Sequence, residues 1–243
     1  MRSLSTSSAD GVQQLIFSVA DVPAALWTPQ GATGARPLIL IGHGGGQHKT
    51  APAVLHRAHR FVADLGAAVV SIDVPGHGDR PVHPDFHAAA TANQARIDAG
   101  EDLITLLTAF QATVAEQTVP EWRAVLDAVQ TLDHVGAGPV GYWGVSLGCG
   151  LGVPFVAAEP RVRAAVLGLG SGLANAGDAA RITVPVEFLI QWDDERVPRE
   201  QSLALYDTFA SPEKTLHANP GLHSDRLPDH ELDSTVRFFA RHL

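Results

Sequence analysis

The ten residues Gly141–Gly150 read "GYWGVSLGCG" and place Ser146 among four glycines, directly after an apolar run that begins at Val140. Glycine weakens both strands and helices, so four glycines around one hydroxyl need a physical reason. Gly144 and Gly148 stand two residues before and after Ser146, where they leave room for a sharp bend. We therefore predict that Ser146 lies in a strained, exposed turn at which the chain changes from strand to helix.

Short apolar runs recur on both sides of this turn and predict about eight strands. From residue 37 onward most of them are almost continuously apolar, as expected for strands buried on both faces of a parallel sheet. The predicted strands are Gln13–Val19, Ala24–Thr28, Pro37–Ile41, Ala67–Asp73, Pro139–Val145, Val162–Gly170, Val184–Trp192 and Lys214–His217.

Amphipathic patterns between these runs predict flanking helices. The clearest are Ala53–Leu65, Glu121–Leu132 and Leu232–Leu243, and Thr118 with Glu121 has the spacing of a helix-starting capping box. Strands that alternate with helices indicate an α/β fold with a mostly parallel central sheet flanked by helices.

Two segments interrupt the alternation. Residues 1 to about 11 are polar and predict a frayed lead-in. Residues from about 79 to 119 contain no strand candidate and are more numerous than a connection between strands requires. Two interpretations of 79–119 stay open: a small helical cap inserted over the sheet, or an extended crossover helix. No linker or repeat divides the chain, so residues 1–243 are expected to form a single domain.

The charge and the composition of the chain argue against several classes of binding partner. Seventeen basic against 26 acidic residues give a net charge of −9, which argues against nucleic acid and anionic membrane surfaces. Cys149 is the only cysteine, so an internal disulfide and a zinc–thiolate cluster are excluded. No signal-peptide core or membrane-spanning run is visible, so a cytoplasmic location is expected. The oligomeric state is not indicated.

Reactive residue types follow several predicted strands. Ligands of open parallel sheets bind at the carboxyl ends of the strands, so these positions are the first candidates for a site. Along the chain, Ser146 is followed by Asp193 or Asp194 and then by His223, which gives the order serine, acid, histidine. The segments that follow strands are "GHGGG" (42–46), "VPGHGD" (74–79), "SLG" (146–148), "DDERVP" (193–198) and "ANPGLHSD" (218–225).

The order and the motifs resemble those of the α/β-hydrolases, in which the triad runs serine, acid, histidine. Within that superfamily the chain, from about residue 13 to 243, is most similar to small serine esterases related to dienelactone hydrolases. "GVSLG" matches the G-x-S-x-G turn of the family, "HGGG" its oxyanion loop and "PGLH" its histidine loop. "DERVP" resembles its acid motif, in which an aspartate precedes Val-Pro by three and four residues.

The resemblance implies site residues and an activity. Ser146 would be the nucleophile and His223 the base, with Asp194 as the favoured acid and Asp193 as the alternative. The oxyanion donors would be the backbone N–H groups of Leu147 and of Gly44 or Gly45.

No metal or cofactor is implied, and the substrate would be a small carboxylic ester. A lactonase, thioesterase or carbon–carbon bond hydrolase would use the same groups, and a ligand-binding protein with an idle triad is a further alternative. Related dienelactone hydrolases carry cysteine at the nucleophile position, so the serine argues against a dienelactone substrate.

Other candidates are expected to have structural roles. Two histidines that neighbour His223 in sequence fall in less suitable places, one inside a strand and one near a helix start. Cys149 is interpreted as a small buried residue. The remaining structural or solvent-exposed candidates are His43, Asp73, His77, His83, His87, His217 and His230.

Overall fold

The computed structural model describes residues 1–81, 92, 95, 96, 99 and 103–243. Among these residues, nine strands form one sheet with the spatial order β1-β2-β3-β5-β4-β6-β7-β8-β9. The strands are β1 Arg2–Ala9, β2 Val12–Val19, β3 Val22–Pro29, β4 Leu38–Gly42, β5 Ala68–Ile72, β6 Val140–Val145, β7 Val162–Gly168, β8 Val186–Gln191 and β9 Lys214–Asn219.

All eight strands predicted from apolar runs are present, with ends that shift by at most two residues. The pairs from β5 through β4 to β9 are parallel, whereas β1, β2 and β3 join the sheet in antiparallel pairs. Strands β4 to β8 are almost wholly buried, because helices cover both faces of this part of the sheet.

The described helices divide between the two faces of the sheet. Residues of α1 and α6 share one core with one face, and residues of α2 to α5 share a second core with the other. The helices are α1 Pro52–Leu65, α2 Leu103–Gln130, α3 Leu147–Ala158, α4 Gly172–Ala179, α5 Arg199–Thr208 and α6 Asp229–His242. Within the described ranges, no helix is long and apolar enough to cross a membrane.

The predicted frayed lead-in is wrong, because Arg2–Ala9 form the edge strand β1. Every residue of β1 is exposed, so its polar side chains carry no burial signal, and its backbone pairs with β2. A local signal was nevertheless present. Asp10 and Gly11 both have positive φ, at 50° and 76°, and Asp-Gly is the preferred pair for a two-residue hairpin turn.

The predicted start of a helix near Glu121 is also wrong, since α2 begins at Leu103 and runs through Pro120. The Thr118 hydroxyl does not cap a helix end but donates to the carbonyl oxygen of Val114 inside α2. The described part of 79–119 that follows residue 102 belongs to this helix, which packs on α3. His83 and His87, and the choice between a cap and a crossover, lie outside the described residues.

Candidate active site

Ser146 occupies the strained turn that its glycine neighbours predict. It connects β6 to α3 with φ 57° and ψ −120°, a backbone conformation that is costly for a residue with a side chain. Its N–H donates to the carbonyl oxygen of Gly168 at 3.0 Å, and its own carbonyl oxygen accepts from Cys149 and Gly150 at 2.9 Å. The turn is therefore held from the sheet on one side and from the helix on the other.

The glycines allow the first turn of α3 to pack directly on the sheet. A Cβ atom on Gly144 would lie 2.5 Å from the carbonyl oxygen of Gly148, and a Cβ atom on Gly148 would collide with the carbonyl group of Gly42. The Tyr142 hydroxyl donates to the same Gly148 oxygen at 2.7 Å. Larger residues at 144 and 148 would push α3 away and displace Ser146.

A hydrogen-bonded chain joins three of the predicted site residues. Ser146 Oγ lies 2.8 Å from His223 Nε2, and His223 Nδ1 lies 2.7 Å from Asp194 Oδ2. Both distances are in the normal hydrogen-bond range. Asp194 lies after β8 and His223 after β9, and the side chains of both are less than a tenth exposed. The sheet thus brings together residues that are far apart in the sequence.

Asp194 is set up as an ionised acceptor for His223. Its Oδ1 accepts the backbone N–H groups of Arg196 and Val197, each at 2.8 Å. Burial alone would raise the pKa of Asp194, but the hydrogen bonds from His223 and from these two N–H groups outweigh it and hold the pKa below its ordinary value. The alternative acid, Asp193, is exposed, and it is Asp194 that contacts His223.

The predicted oxyanion donors lie beside Ser146. Gly44 and Gly45 line the same cavity as Ser146, and Leu147 begins α3 directly after it. In the part of the chain that the structure describes, neither the Leu147 nor the Gly44 backbone N–H donates to a protein acceptor. As far as the described residues go, both groups are therefore available to donate to a ligand.

His43 fixes the loop that carries Gly44. Its Nδ1 lies 2.8 Å from the carbonyl oxygen of Gly44, and its Nε2 accepts the backbone N–H of Val74 at 3.3 Å. These partners require a neutral ring with the proton on Nδ1. Burial lowers the pKa of His43 to about 4, which agrees with a neutral ring that has a structural role.

Lys49 braces the loops after β4 and β5, a role that no sequence pattern indicated. Its buried Nζ pairs with Asp73 at 2.7 Å and with Asp79 at 2.6 Å. Burial would lower the pKa of Lys49, but the two carboxylates raise it. Asp73 also accepts the backbone N–H of Lys49 and of Asp79, and His77 lies 3.0 Å from the Pro75 carbonyl oxygen. Asp73 and His77 therefore brace loops, in line with the structural roles expected for them.

The other competing residues are engaged elsewhere. His217, inside β9, places Nδ1 2.7 Å from Glu231, while His230 is exposed on the first turn of α6. Cys149 is fully buried, and burial raises the pKa of its thiol to about 12, so it is an inert core residue.

A cavity of about 800 Å³ opens at Ser146 and His223. Its walls come from the loop after β4, from α1, from β6 and from the segment that follows His223. The lining mixes apolar side chains with three arginines, which are Arg57, Arg196 and Arg226. Such a site has the size and the mixed lining of a pocket for a small molecule.

The solved structures to which this chain is similar include several esterases. A cold-adapted esterase from an Arctic intertidal metagenomic library, solved in complex with PEG, is 31% identical over 98% of this chain and 97% of its own, with a TM-score of 0.78. Its native structure is 28% identical over the full length of both chains, with a TM-score of 0.75. An acetyl xylan esterase from Paenibacillus sp. R4 shares the fold at 18% identity, over 100% of this chain and 88% of its own, with a TM-score of 0.71.

Sequence comparisons add little to these structural matches. The uncharacterized protein YnbC of Escherichia coli K12 is 44% identical over 50 residues, which are 21% of this chain and 8% of that protein. The matched segment is thus a small part of that relative. No protein-family profile matches the chain.

Proposed function

The chain belongs to the α/β-hydrolase serine esterases, and from that premise we propose that Ser146, His223 and Asp194 are its catalytic triad. The substrate is a small carboxylic ester, which is cleaved through an acyl-enzyme intermediate. The observation that carries this assignment is the unbroken chain of hydrogen bonds, 2.8 Å from Ser146 Oγ to His223 and 2.7 Å from His223 to Asp194.

In the first half of the reaction, Ser146 Oγ attacks the carbonyl carbon of the ester. A serine hydroxyl is a weak nucleophile, so His223 Nε2 takes its proton as the new C–O bond forms. The electron pair of the carbonyl bond moves to oxygen and gives a tetrahedral intermediate. When that pair returns, the bond to the alcohol breaks, and the imidazolium of His223 protonates the departing oxygen.

In the second half, water repeats the sequence on the acyl group. His223 takes a proton from water, the hydroxyl adds to the acyl carbon, and the bond to Ser146 Oγ breaks as the serine regains its proton. The carboxylic acid leaves and the free enzyme is restored. Neither half-reaction consumes a cofactor or changes an oxidation state.

In this proposal the intermediate is stabilised by two backbone N–H groups that have no acceptor among the described residues. Leu147 and Gly44, with Gly45 as the neighbouring alternative, can donate to the oxygen on which negative charge develops. Donors that are already in place cost no rearrangement during the reaction, and each is typically worth about 10²–10³ in rate. The neutral His43 ring supports this loop through the carbonyl oxygen of Gly44.

Asp194 orients the base. Because an ionised carboxylate only accepts hydrogen bonds, it requires the proton of neutral His223 to be on Nδ1, which leaves Nε2 free to receive the serine proton. Asp194 also stabilises the imidazolium that forms during each half-reaction.

A fluorophosphonate probe, which reacts with activated serines, tests the assignment. Mass spectrometry of the labelled wild-type protein should locate one adduct, at Ser146. Ser146→Ala should abolish labelling and lower turnover of a p-nitrophenyl ester by more than about 10³-fold, because the nucleophile is lost. The matched control, Ser8→Ala in the exposed strand β1, should label and react like the wild type. Full activity in Ser146→Ala would show that the proposed mechanism is wrong.

A further inference from the structure

Arg57 projects from α1 into the cavity that contains Ser146 and His223. Its guanidinium stacks on the Trp143 ring, with the central carbon 4.0 Å from the ring centroid. Its one hydrogen bond to a described residue runs from Nη1 to the carbonyl oxygen of Ala53, one turn earlier in the same helix. A guanidinium carries five N–H donors, so most of the donors of Arg57 have no partner among the described residues.

The other two arginines of the cavity, unlike Arg57, lie next to a carboxylate. Arg226 forms an ion pair with Asp229, and Arg196 lies 3.4 Å from Glu195. Among the described residues, Arg57 is the only arginine of the cavity without a carboxylate within 4.0 Å.

Acidic side chains that line the cavity are already engaged by other groups. Asp225 accepts the backbone N–H of Leu222, and Glu231 is hydrogen-bonded to His217 and Asn219. Neither carboxylate is within ion-pair distance of Arg57. No carboxylate among the described residues therefore forms an ion pair with the Arg57 guanidinium.

An unpaired guanidinium in such a place is energetically unfavourable. Burial, with the positive charge of Arg226 as a second and smaller cause, lowers the pKa of Arg57 to about 10. The side chain nevertheless stays charged at neutral pH. Arg57 is partly buried, and a partly buried charge is stabilised by a paired anion; a carboxylate can accept two parallel N–H bonds from a guanidinium. The flat face that stacks on Trp143 leaves the edge donors available for such a pair.

Arg57, Trp143 and Ser146 line the same cavity, so one bound substrate can contact both Arg57 and Ser146. Trp143 precedes Ser146 by three residues, which corresponds to roughly 10 Å between their Cα atoms at the rise of an extended strand. A substrate that places its carbonyl carbon at Ser146 Oγ can therefore extend a second group toward Arg57 through a chain of several atoms.

We propose that Arg57 binds a carboxylate of the substrate, so that this enzyme selects esters that carry a free carboxylate several atoms from the scissile bond. This inference rests on the proposed function, because it assigns the substrate class of the same site. The carboxylate can belong to the acyl part or to the alcohol part of the ester, and the recognition chemistry is the same in both cases.

Matched pairs of esters test the inference. Monoethyl esters of the linear dicarboxylic acids from succinate to suberate place the charge on the acyl side, and acetate esters of linear hydroxy acids place it on the alcohol side. Each is compared with a neutral ester of equal length. Wild type should show a higher kcat/KM for the charged member of at least one series, and the responsive series identifies the side that Arg57 binds.

Substitutions at Arg57 should then change the preference. Arg57→Met keeps an apolar stem over Trp143 but removes the charge, and it should reduce the charged-to-neutral ratio of kcat/KM about 10- to 100-fold, the usual size for a charge-assisted hydrogen bond. Arg57→Lys should retain part of the preference. Arg60→Met, one turn away on the surface with Asp64 and Asp233 as partners, should leave the ratio unchanged.

Binding to Ser146→Ala separates this inference from the proposed function. Calorimetry should show that monoethyl adipate binds more tightly than the neutral ester ethyl hexanoate, and that Arg57→Lys in the same background weakens only the monoethyl adipate complex. If wild type hydrolyses neutral esters as well as charged ones and monoethyl adipate shows no advantage, the inference is overturned. If monoethyl adipate binds through Arg57 but no ester is cleaved, the proposed function fails while the carboxylate site stands.

Discussion

Gly148 packs against Gly42 so closely that a Cβ atom on Gly148 would lie 2.8 Å from the carbonyl carbon of Gly42 and closer still to its oxygen. This contact joins the first turn of α3 to the end of β4. The turn carries Ser146 and Leu147, and the loop that follows Gly42 carries Gly44. One backbone contact therefore sets the spacing between the serine and both sides of the proposed oxyanion site.

We expect Gly148→Ala to impair both stability and turnover. The added methyl group meets backbone rather than a flexible side chain, so α3 must shift; overpacking of this kind typically costs about 1–3 kcal/mol. The displaced Leu147 N–H should lower kcat by at least about 10-fold, since a misplaced donor loses most of its effect in the transition state. Thermal unfolding and steady-state kinetics measure the two effects.

Gly177→Ala is the matched control for this substitution. Gly177 lies inside α4, and a Cβ atom there would meet no other atom within 4 Å. Alanine at this position should leave kcat unchanged and raise stability by up to about 1 kcal/mol, because it favours the helix. A Gly148→Ala protein with wild-type Tm and kcat would contradict the packing argument.

The two neighbouring aspartates should respond very differently to amide substitution. Asp194→Asn removes the carboxylate that holds His223 and can favour the wrong tautomer, so kcat should fall by up to about 10⁴-fold. Asp193→Asn changes an exposed side chain and should cost less than about threefold. Kinetics on one p-nitrophenyl ester suffice for the comparison.

A structural explanation for the Asp194 result can be separated from a catalytic one. If the loss came from unfolding, circular dichroism of Asp194→Asn would show it, and fluorophosphonate labelling would fall in proportion to the unfolded fraction. Equal losses for the two variants, or a larger loss for Asp193→Asn, would assign the role of the acid to Asp193.

The buried His43 should make the fold sensitive to mild acid. Its pKa is about 4 in the folded protein against an ordinary value of 6.5, so the unfolded chain binds the proton more readily. The stabilisation is therefore complete above pH 6.5 and is lost as the pH falls toward 4; the shift corresponds to about 3 kcal/mol. Urea unfolding between pH 7 and pH 4 should show this decline on top of the titration of other groups.

His43→Asn isolates that contribution, because asparagine cannot take up the proton. The variant should be less stable than wild type at pH 7, and the difference should shrink as the pH falls toward 4. His59→Asn on α1 controls for removal of a histidine without changing the Gly44 loop. A stability difference between His43→Asn and wild type that does not vary with pH would contradict this assignment.

The sequence allowed the central sheet to be predicted because its strands are buried on both faces. An apolar run such as the one that forms β8 is then visible without reference to any neighbour. Strand β1 has no buried face, so burial leaves no trace in its composition and only the Asp10-Gly11 turn marks it. In α2, packing on α3 keeps the helix continuous through Pro120, although the local signals favour a start near Glu121.

The same distinction applies to the site. A serine, an aspartate and a histidine at strand ends predicted a meeting of these residue types, because parallel strands align their carboxyl ends, but this order left Asp193 and Asp194 as alternatives. The resemblance of "DERVP" to the acid motif of the α/β-hydrolases favoured Asp194. Lys49 and Arg57 belong to no motif, and their environments come from residues on other elements. Lys49 pairs with Asp73 at 2.7 Å, and Arg57 stacks on the Trp143 ring. No spacing in the sequence indicates either contact.

The hydrogen bond between Ser146 and His223 spans 77 residues of the chain and crosses the sheet from β6 to β9. A nascent chain that has emerged from the ribosome only as far as Asp194 already holds the serine turn and the aspartate, but it lacks His223, the proposed base. On the proposed mechanism, reactivity toward esters therefore arises late in synthesis, after β9 has added to the edge of the sheet and His223 has followed it. Until β9 pairs with β8, the growing polypeptide is expected not to cleave esters.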